Sequence, residues 1–269
     1  MKPCFNTVTA GRHKPLEEII AACGAAGFNG IEIDLNHLDG VAEHSSLEEI
    51  KHRLTDSNLQ PASIMAFDLA PLAETNAATE RFKRGVEAAE QLGAPMLLVY
   101  CATNIPPGMD REKAIGKAAD RAREYAQLAK SLKIGLEPIG RTTLMGRPED
   151  ALEVAALAGA PNIEMVMDTF HFYRAGVIDI TPYPLRGFQM VHVNDAEDLP
   201  VEKLTDANRL HLGLGILPLR QYLADLAAKK YSGFLSIEIF RPEYWQQPVT
   251  RVVNDARTSY DKLIATVQS

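Results

Sequence analysis

Four short runs in the second half of the chain carry apolar stretches that lead to a residue able to bind a metal or move a proton. They are Lys133-Ile134-Gly135-Leu136-Glu137-Pro138, Glu164-Met165-Val166-Met167-Asp168, Met190-Val191-His192-Val193-Asn194-Asp195 and Leu235-Ser236-Ile237-Glu238-Ile239-Phe240. Side chains alternate along a strand, so Gly135/Glu137, Val166/Asp168, Met190/His192 and Ser236/Glu238 each share a face. If those faces meet, three carboxylates and one imidazole converge. At about 5 Å and an effective dielectric of roughly 20, each carboxylate pair repels by on the order of 3 kcal/mol, so protons or a cation must neutralise the group. The histidine favours the cation, because a neutral imidazole is a ready divalent-metal ligand. Glu137, Asp168, His192 and Glu238 thus form a candidate three-oxygen, one-nitrogen site for one divalent ion. Mn, Mg, Co and Zn all suit it, with room left for substrate oxygens. Taken singly, each residue has an ordinary reading as a surface glutamate or a core histidine; recurrence on four successive strands is what favours the site.

The elements that must position these groups alternate along the chain. Strand-like runs lie near 4–8, 30–34, 61–67, 96–100, 133–138, 163–168, 189–193 and 234–240, and helical patterns near 15–25, 46–57, 79–92, 111–132, 148–157, 217–229 and 248–267. Such a rhythm signals βα units and a parallel sheet. Eight strands in 269 residues match a single (β/α)8 TIM barrel spanning residues 1–269 better than an open sheet with a second domain. No linker, low-complexity tract or like-charge run divides the chain. In such barrels the reacting groups sit at the C-terminal ends of the strands, where the four runs place theirs. The longest irregular stretch, about 194–218, is read as a functional loop. The apolar stripes Leu16/Ile19/Ile20/Cys23 and Leu219/Leu223/Leu226 are read as helix faces packed on the barrel.

Composition narrows the function classes. A net charge of -7, from 28 basic against 35 acidic residues, argues against a protein built to neutralise phosphates, so no nucleic-acid partner is expected. Cys4, Cys23 and Cys101 are scattered without Cys-x-x-Cys spacing and fit neither a disulfide framework nor a thiolate zinc site, which makes a reducing cytoplasm the simplest compartment. No signal-peptide-like start and no run of about eighteen uncharged apolar residues is seen, so no membrane association is expected.

Several motifs carry a resemblance along almost the whole chain: Lys2-Pro3-Cys4-Phe5-Asn6, Ile31-Glu32-Ile33, Gly135-Leu136-Glu137, Met167-Asp168-Thr169-Phe170-His171-Phe172, His192-Val193-Asn194-Asp195-Ala196-Glu197-Asp198, Leu204-Thr205-Asp206 with Arg209, and Ser236-Ile237-Glu238-Ile239-Phe240-Arg241-Pro242-Glu243-Tyr244. The sequence resembles the xylose isomerase-like barrel superfamily of sugar and sugar-phosphate isomerases and epimerases, and within it the inosose (2-keto-myo-inositol) isomerases of inositol catabolism. The resemblance implies that Glu137, Asp168, His192 and Glu238 bind one divalent metal, with Glu137 and Glu238 doubling as the acid/base pair. It further implies that His171 and Arg209 touch substrate oxygens and that Arg241, Glu243 and Tyr244 shape the pocket mouth. One segment departs from the pattern: His211-Leu212-Gly213-Leu214-Gly215-Ile216-Leu217-Pro218-Leu219 keeps two glycines of a Pro-Gly-x-Gly loop but lacks its proline and a following acidic residue. His211 is read there as a solvated loop histidine.

The expected reaction is proton transfer beside a carbonyl through a metal-stabilised enediolate, acting on a small keto-polyol or sugar. A 3-dehydroshikimate dehydratase-type lyase would use the same site, expelling hydroxide from the enolate. An abasic-site endonuclease on this barrel is a remote alternative, since strand three offers no histidine and Arg209 stands where such enzymes place one. A non-catalytic sugar-binding barrel would tolerate the loss of a ligand, and all four are present. A homo-oligomer is compatible with the sequence.

Overall fold

The computed structural model describes residues 1–42, 44–184 and 190–268. Its elements run β1 (Lys2–Asn6), α1 (Leu16–Ala25), β2 (Gly30–Asp34), α2 (Leu35–Val41), α3 (Leu47–Asp56), β3 (Gln60–Asp68), α4 (Ala77–Leu92), β4 (Met96–Tyr100), α5 (Arg111–Leu128), β5 (Lys133–Glu137), α6 (Pro148–Ala158), β6 (Ile163–Met165) and β7 (Met167–Asp168). They continue with α7 (Thr169–Arg174), β8 (Met190–Val193), β9 (Asp195–Ala196), β10 (Arg209–Leu210), α8 (Leu219–Ala228), β11 (Phe234–Ile237), α9 (Pro242–Trp245) and α10 (Val249–Gln268). Nine parallel segments are hydrogen-bonded in the order β6-β5-β4-β3-β2-β1-β11-β8-β7. β6 and β7 are two halves of one run parted at Val166: β6 pairs with β5 and β7 with β8. The two ends of the sheet therefore meet, and the ring is nearly closed as a (β/α)8 barrel.

Local sequence accounts for the helix ends. Ser46 and Glu49 form a reciprocal capping box at the start of α3, and Pro148 opens α6 where its missing N–H costs nothing. α4 stops at Gly93, whose φ of +77° is the left-handed conformation that a residue without Cβ enters freely. Leu16, Ile19, Ile20 and Cys23 of α1, and Leu219, Leu223 and Leu226 of α8, are buried in the large cluster between helices and strands, as their spacing predicts. A separate cluster holds Cys4, Val8, Ala62, Met65, Met96, Leu98, Val166 and Met190. Cys4, Val166 and Met190 lie two residues before Asn6, Asp168 and His192, so strand alternation stacks this apolar plug beneath the polar groups inside the barrel. All three cysteines are free and buried. Among the described residues no helix is long and apolar enough to cross a membrane.

The differences from expectation are local. The first strand ends at Asn6 rather than at residue 8, because Asn6 caps a 3-10 turn over Thr7–Ala10. The strand expected over 189–193 is observed from Met190, Gln189 lying outside the described residues. The strand expected over 234–240 ends at Ile237. Two short helices not evident from periodicity, α2 and α7, start directly on strand ends: the carboxylates of Asp34 and Asp168 accept the backbone N–H of Asn36 and His171. The irregular stretch 194–218 contains an antiparallel pair, β9 with β10, which sets Arg209 opposite Ala196.

Candidate active site

Strand register assembles the polar layer. Asp168 lies opposite His192 across β7 and β8, Ser236 opposite His192 across β11 and β8, Glu32 opposite Asn6 and Ser63 across β2 and its neighbours, and Glu137 opposite Tyr100. Glu238, one residue past β11, is tied to β8 by its N–H on the Val193 carbonyl. Glu137, Asp168, His192 and Glu238 are buried, and each offers a ligand atom such that all four lie within 4.8 Å of one another. Nδ1 of His192 is 2.8 Å from Glu137 Oε1, 3.3 Å from Glu238 Oε2 and 3.9 Å from Asp168 Oδ2. This is the one such cluster among the described residues.

Two groups that sequence reasoning had not assigned a role complete the layer. Glu32 Oε2 lies 2.9 Å from the other ring nitrogen of His192, Nε2. Asn6 Nδ2 donates to Glu32 Oε2 at 2.9 Å and to Glu238 Oε1 at 3.2 Å. The signal was present in Ile31-Glu32-Ile33, a glutamate between two β-branched residues on a buried strand, but its partner is 160 residues away.

Arg209 is fully buried and reaches the ligand cluster. Its Nη1 donates to Asp168 Oδ2 at 2.8 Å and Glu238 Oε2 at 2.9 Å, while Nη2 donates to Asp206 Oδ1 at 2.8 Å. Phe170 and Phe240 present ring faces 4.8 and 5.4 Å from the guanidinium, which keep it desolvated and in place. Nη2 also lies 3.1 Å from His171 Nε2. A guanidinium only donates, so that His171 nitrogen must accept, and the ring proton belongs on Nδ1. Burial pushes the His171 imidazole down to about 4, which keeps it neutral. Asp168 serves three partners, with Oδ1 capping α7 and Oδ2 receiving Arg209 and Asn194.

The electrostatics follow from burial and crowding. Burial, with Glu238 and Asp168 adding repulsion, lifts Glu137 to about 7 against the pull of His192. Asp168 goes the other way: burial opposes its charge, but Arg209, His192 and the backbone N–H of His171 hold it at about 2. Burial also opposes a charge on His192, yet Glu238, Glu32 and Glu137 outweigh it and raise the imidazole well above its ordinary value. The donor set fits a divalent cation: one imidazole nitrogen and three carboxylates face a common point, and a proton on Nδ1 and a cation would compete for the same oxygens.

The cluster opens on a cavity of about 470 Å³ lined by Glu137, Glu238, His171 and Arg209 at one end and by Arg12, Asp34, Asn36, Arg81 and Tyr100 at the other. Arg241, Glu243 and Tyr244 are not brought to this lining. Arg241 pairs with Glu197 at 2.7 Å and Glu243 at 3.4 Å, and Tyr244 stacks on His211 with ring centroids 4.3 Å apart. His211 is therefore buried, not solvated as expected: the loop folds back because both carboxylate oxygens of Asp195 collect the N–H groups of Gly213, Gly215 and Leu217. A Cβ on Gly215 would sit 1.9 Å from the Ala196 carbonyl oxygen, so the close approach requires glycine. The indole N–H of Trp245 donates to the Val8 carbonyl, anchoring α9 to the barrel rim.

Known proteins share the fold. The family model described as "Xylose isomerase-like TIM barrel" matches residues 20–262. An inosose isomerase from Halalkalibacterium halodurans is 28% identical, over 98% of this chain and 97% of its own length. A 3-dehydroshikimate dehydratase from Pseudomonas aeruginosa is 28% identical over 87% of this chain and 37% of its own length. The crystal structure of the IOLI protein with a binding zinc atom superposes with a TM-score of 0.89 over 99% of each chain, at 23% identity.

Proposed function

The chain belongs to the xylose isomerase-like TIM barrel family, and from that premise we propose that it is a divalent-metal-dependent isomerase or epimerase of a small keto-polyol, acting on an inosose. The observation that carries this reading is the convergence of Glu137, Asp168, His192 and Glu238 within 4.8 Å, with Glu137 and Glu238 lining the cavity. The similarity to inosose isomerase over 98% of the chain supports the substrate class. Those four residues would hold the metal through three carboxylates and Nδ1 of His192. A divalent ion there would act as a Lewis acid on the substrate carbonyl and offset the negative charge that accumulates when the neighbouring carbon loses its proton.

The remaining chemistry belongs to side chains. Glu137 spends one oxygen on His192 and lines the cavity, and its raised proton affinity matches a base working near neutral pH. Glu238 enters from β11, with Oε1 fixed by Asn6 and Oε2 by Arg209. One glutamate removes the α-proton and the other, or the same one, returns it on the adjacent carbon. Arg209, whose N–H groups serve Asp168, Glu238, Asp206 and His171, lines the cavity beside His171 and keeps its positive charge throughout.

The test is exchange of the α-proton of an inosose with deuterated solvent, followed by NMR in the presence of metal. Glu137→Gln and Glu238→Gln are each expected to abolish exchange. Wild-type-like exchange in either variant removes that residue from the acid/base role. A second reading, dehydration of 3-dehydroshikimate on the same residues, is favoured by the relative that matches 87% of the chain. Loss of hydroxide from dehydroshikimate, with no turnover of inosose, would establish it in place of the first.

A further inference from the structure

Glu32 is a buried carboxylate that the proposed reaction leaves without a task. It is fully buried on β2 and is not one of the four residues whose ligand atoms converge. Its Oε2 meets Nε2 of His192 at 2.9 Å, while Nδ1 of the same ring faces Glu137, Glu238 and Asp168. Both Glu32 oxygens are pinned from other strands. Ser63 Oγ donates to Oε1 at 2.5 Å, and Ser236 Oγ and Asn6 Nδ2 donate to Oε2 at 2.8 and 2.9 Å. The orientation of the Asn6 amide follows from its other end, where Oδ1 accepts the Val8 N–H at 3.1 Å. The Asn6 nitrogen must therefore face the carboxylates, and it reaches Glu238 Oε1 as well as Glu32.

An ionised carboxylate only accepts hydrogen bonds. With three donors already directed at it, Glu32 can complete its partners only if Nε2 of His192 carries the ring proton. In the neutral ring the lone pair is then on Nδ1, toward the three carboxylates. We propose that Glu32 is the positioning residue of the metal centre: it locks His192 in the Nε2–H tautomer, offers Nδ1 to a divalent cation, and through Asn6 sets the rotamer of Glu238. This rests on the metal-dependent reading above. Outer carboxylates that orient a ligating histidine are worth roughly 10–100-fold in metal affinity, whereas a group that merely satisfies its own burial would leave affinity unchanged.

The experiment uses the full chain stripped with a chelator and titrated with Co²⁺, followed by its visible d–d absorption, in wild type, Glu32→Gln and His192→Gln. Glu32→Gln is expected to bind Co²⁺ roughly 10–100-fold more weakly than wild type, with shifted bands. Zn²⁺-loaded wild type carrying ¹⁵N-histidine is expected to show the His192 proton on Nε2, a readout that needs no variant and decides the question should Glu32→Gln fail to fold. A folded Glu32→Gln with wild-type affinity and unshifted bands, or a proton on Nδ1 in the Zn²⁺ form, overturns the proposal. Co²⁺ binding by wild type no tighter than by His192→Gln would instead overturn the metal reading on which it stands.

Discussion

Replacing Arg209 by methionine is the most informative single perturbation of the polar layer, because it separates charge balance from packing. The guanidinium lies 2.8 Å from Asp168 and 2.9 Å from Glu238, both buried, and 2.8 Å from Asp206, which is 48% exposed. The Asp206 contact is screened by solvent and counts for little. With charge centres about 4 Å apart and an effective dielectric of roughly 20, each buried pair attracts by about 4 kcal/mol, much of it offset by desolvation of the arginine. Removing Arg209 leaves Asp168 and Glu238 to share the His192 imidazole with Glu32 and Glu137, so the metal-free variant should lose about 3–5 kcal/mol of stability, far beyond the ~1 kcal/mol of a surface pair. A divalent cation held by the cluster would meet the same two carboxylates with the same sign of charge. Metal should therefore stabilise Arg209→Met by more than it stabilises wild type, for which saturation at a hundredfold excess over Kd gives about 2.7 kcal/mol. Urea unfolding with and without chelator, followed by fluorescence, measures both quantities. A metal-free unfolding free energy within about 0.5 kcal/mol of wild type, or a smaller metal effect in the variant, would refute the view that Arg209 and the cation share Asp168 and Glu238.

Two further outcomes concern protonation. Since Glu238, Glu32 and Glu137 raise His192 well above its ordinary value against the opposing effect of burial, a proton must leave Nδ1 when metal enters, and metal affinity should climb with pH through neutrality. Calorimetry in two buffers of different ionisation enthalpy reads the released proton, and buffer-independent heats would contradict it. Burial pushes His211 down to about 4 from 6.5, so the unfolded chain binds the extra proton between those values; the stability His211 contributes is whole above pH 6.5 and is lost as pH falls through about 4. That loss amounts to at most about 3 kcal/mol, and His211→Phe should remove it from a plot of urea midpoint against pH. A stability difference between the two proteins that stays constant over that range would exclude the mechanism.

The parts of this molecule legible in its sequence are those with a local period. The strand ends bearing Glu137, Asp168, His192 and Glu238 could be read because each follows or interrupts an apolar run and alternation fixes which neighbours share its face. Barrel closure could be read from the number and spacing of strands, since a parallel sheet of eight has few ways to hide both its faces. What stayed hidden depends on pairings the chain does not bring near one another. Glu32 carries the same alternating signature as those four residues, but its meaning comes from a ring nitrogen on β8. α7 escaped because tertiary contact, rather than propensity, sustains it: six residues hang from the Asp168 carboxylate, with Phe170 and Phe172 fully buried. His211 looked solvated because a loop rich in glycine normally is; Asp195 reverses this by gathering three loop N–H groups onto one side chain and folding His211 against Tyr244. Asp195 does for that loop what Glu32 does for His192 and Asn6 for Glu238. In each case a polar side chain away from the reacting centre spends its hydrogen-bonding capacity on fixing another group. Such residues are buried and fully satisfied, so a sequence pattern treats them as core, and only the identity of the group they hold reveals what they are for.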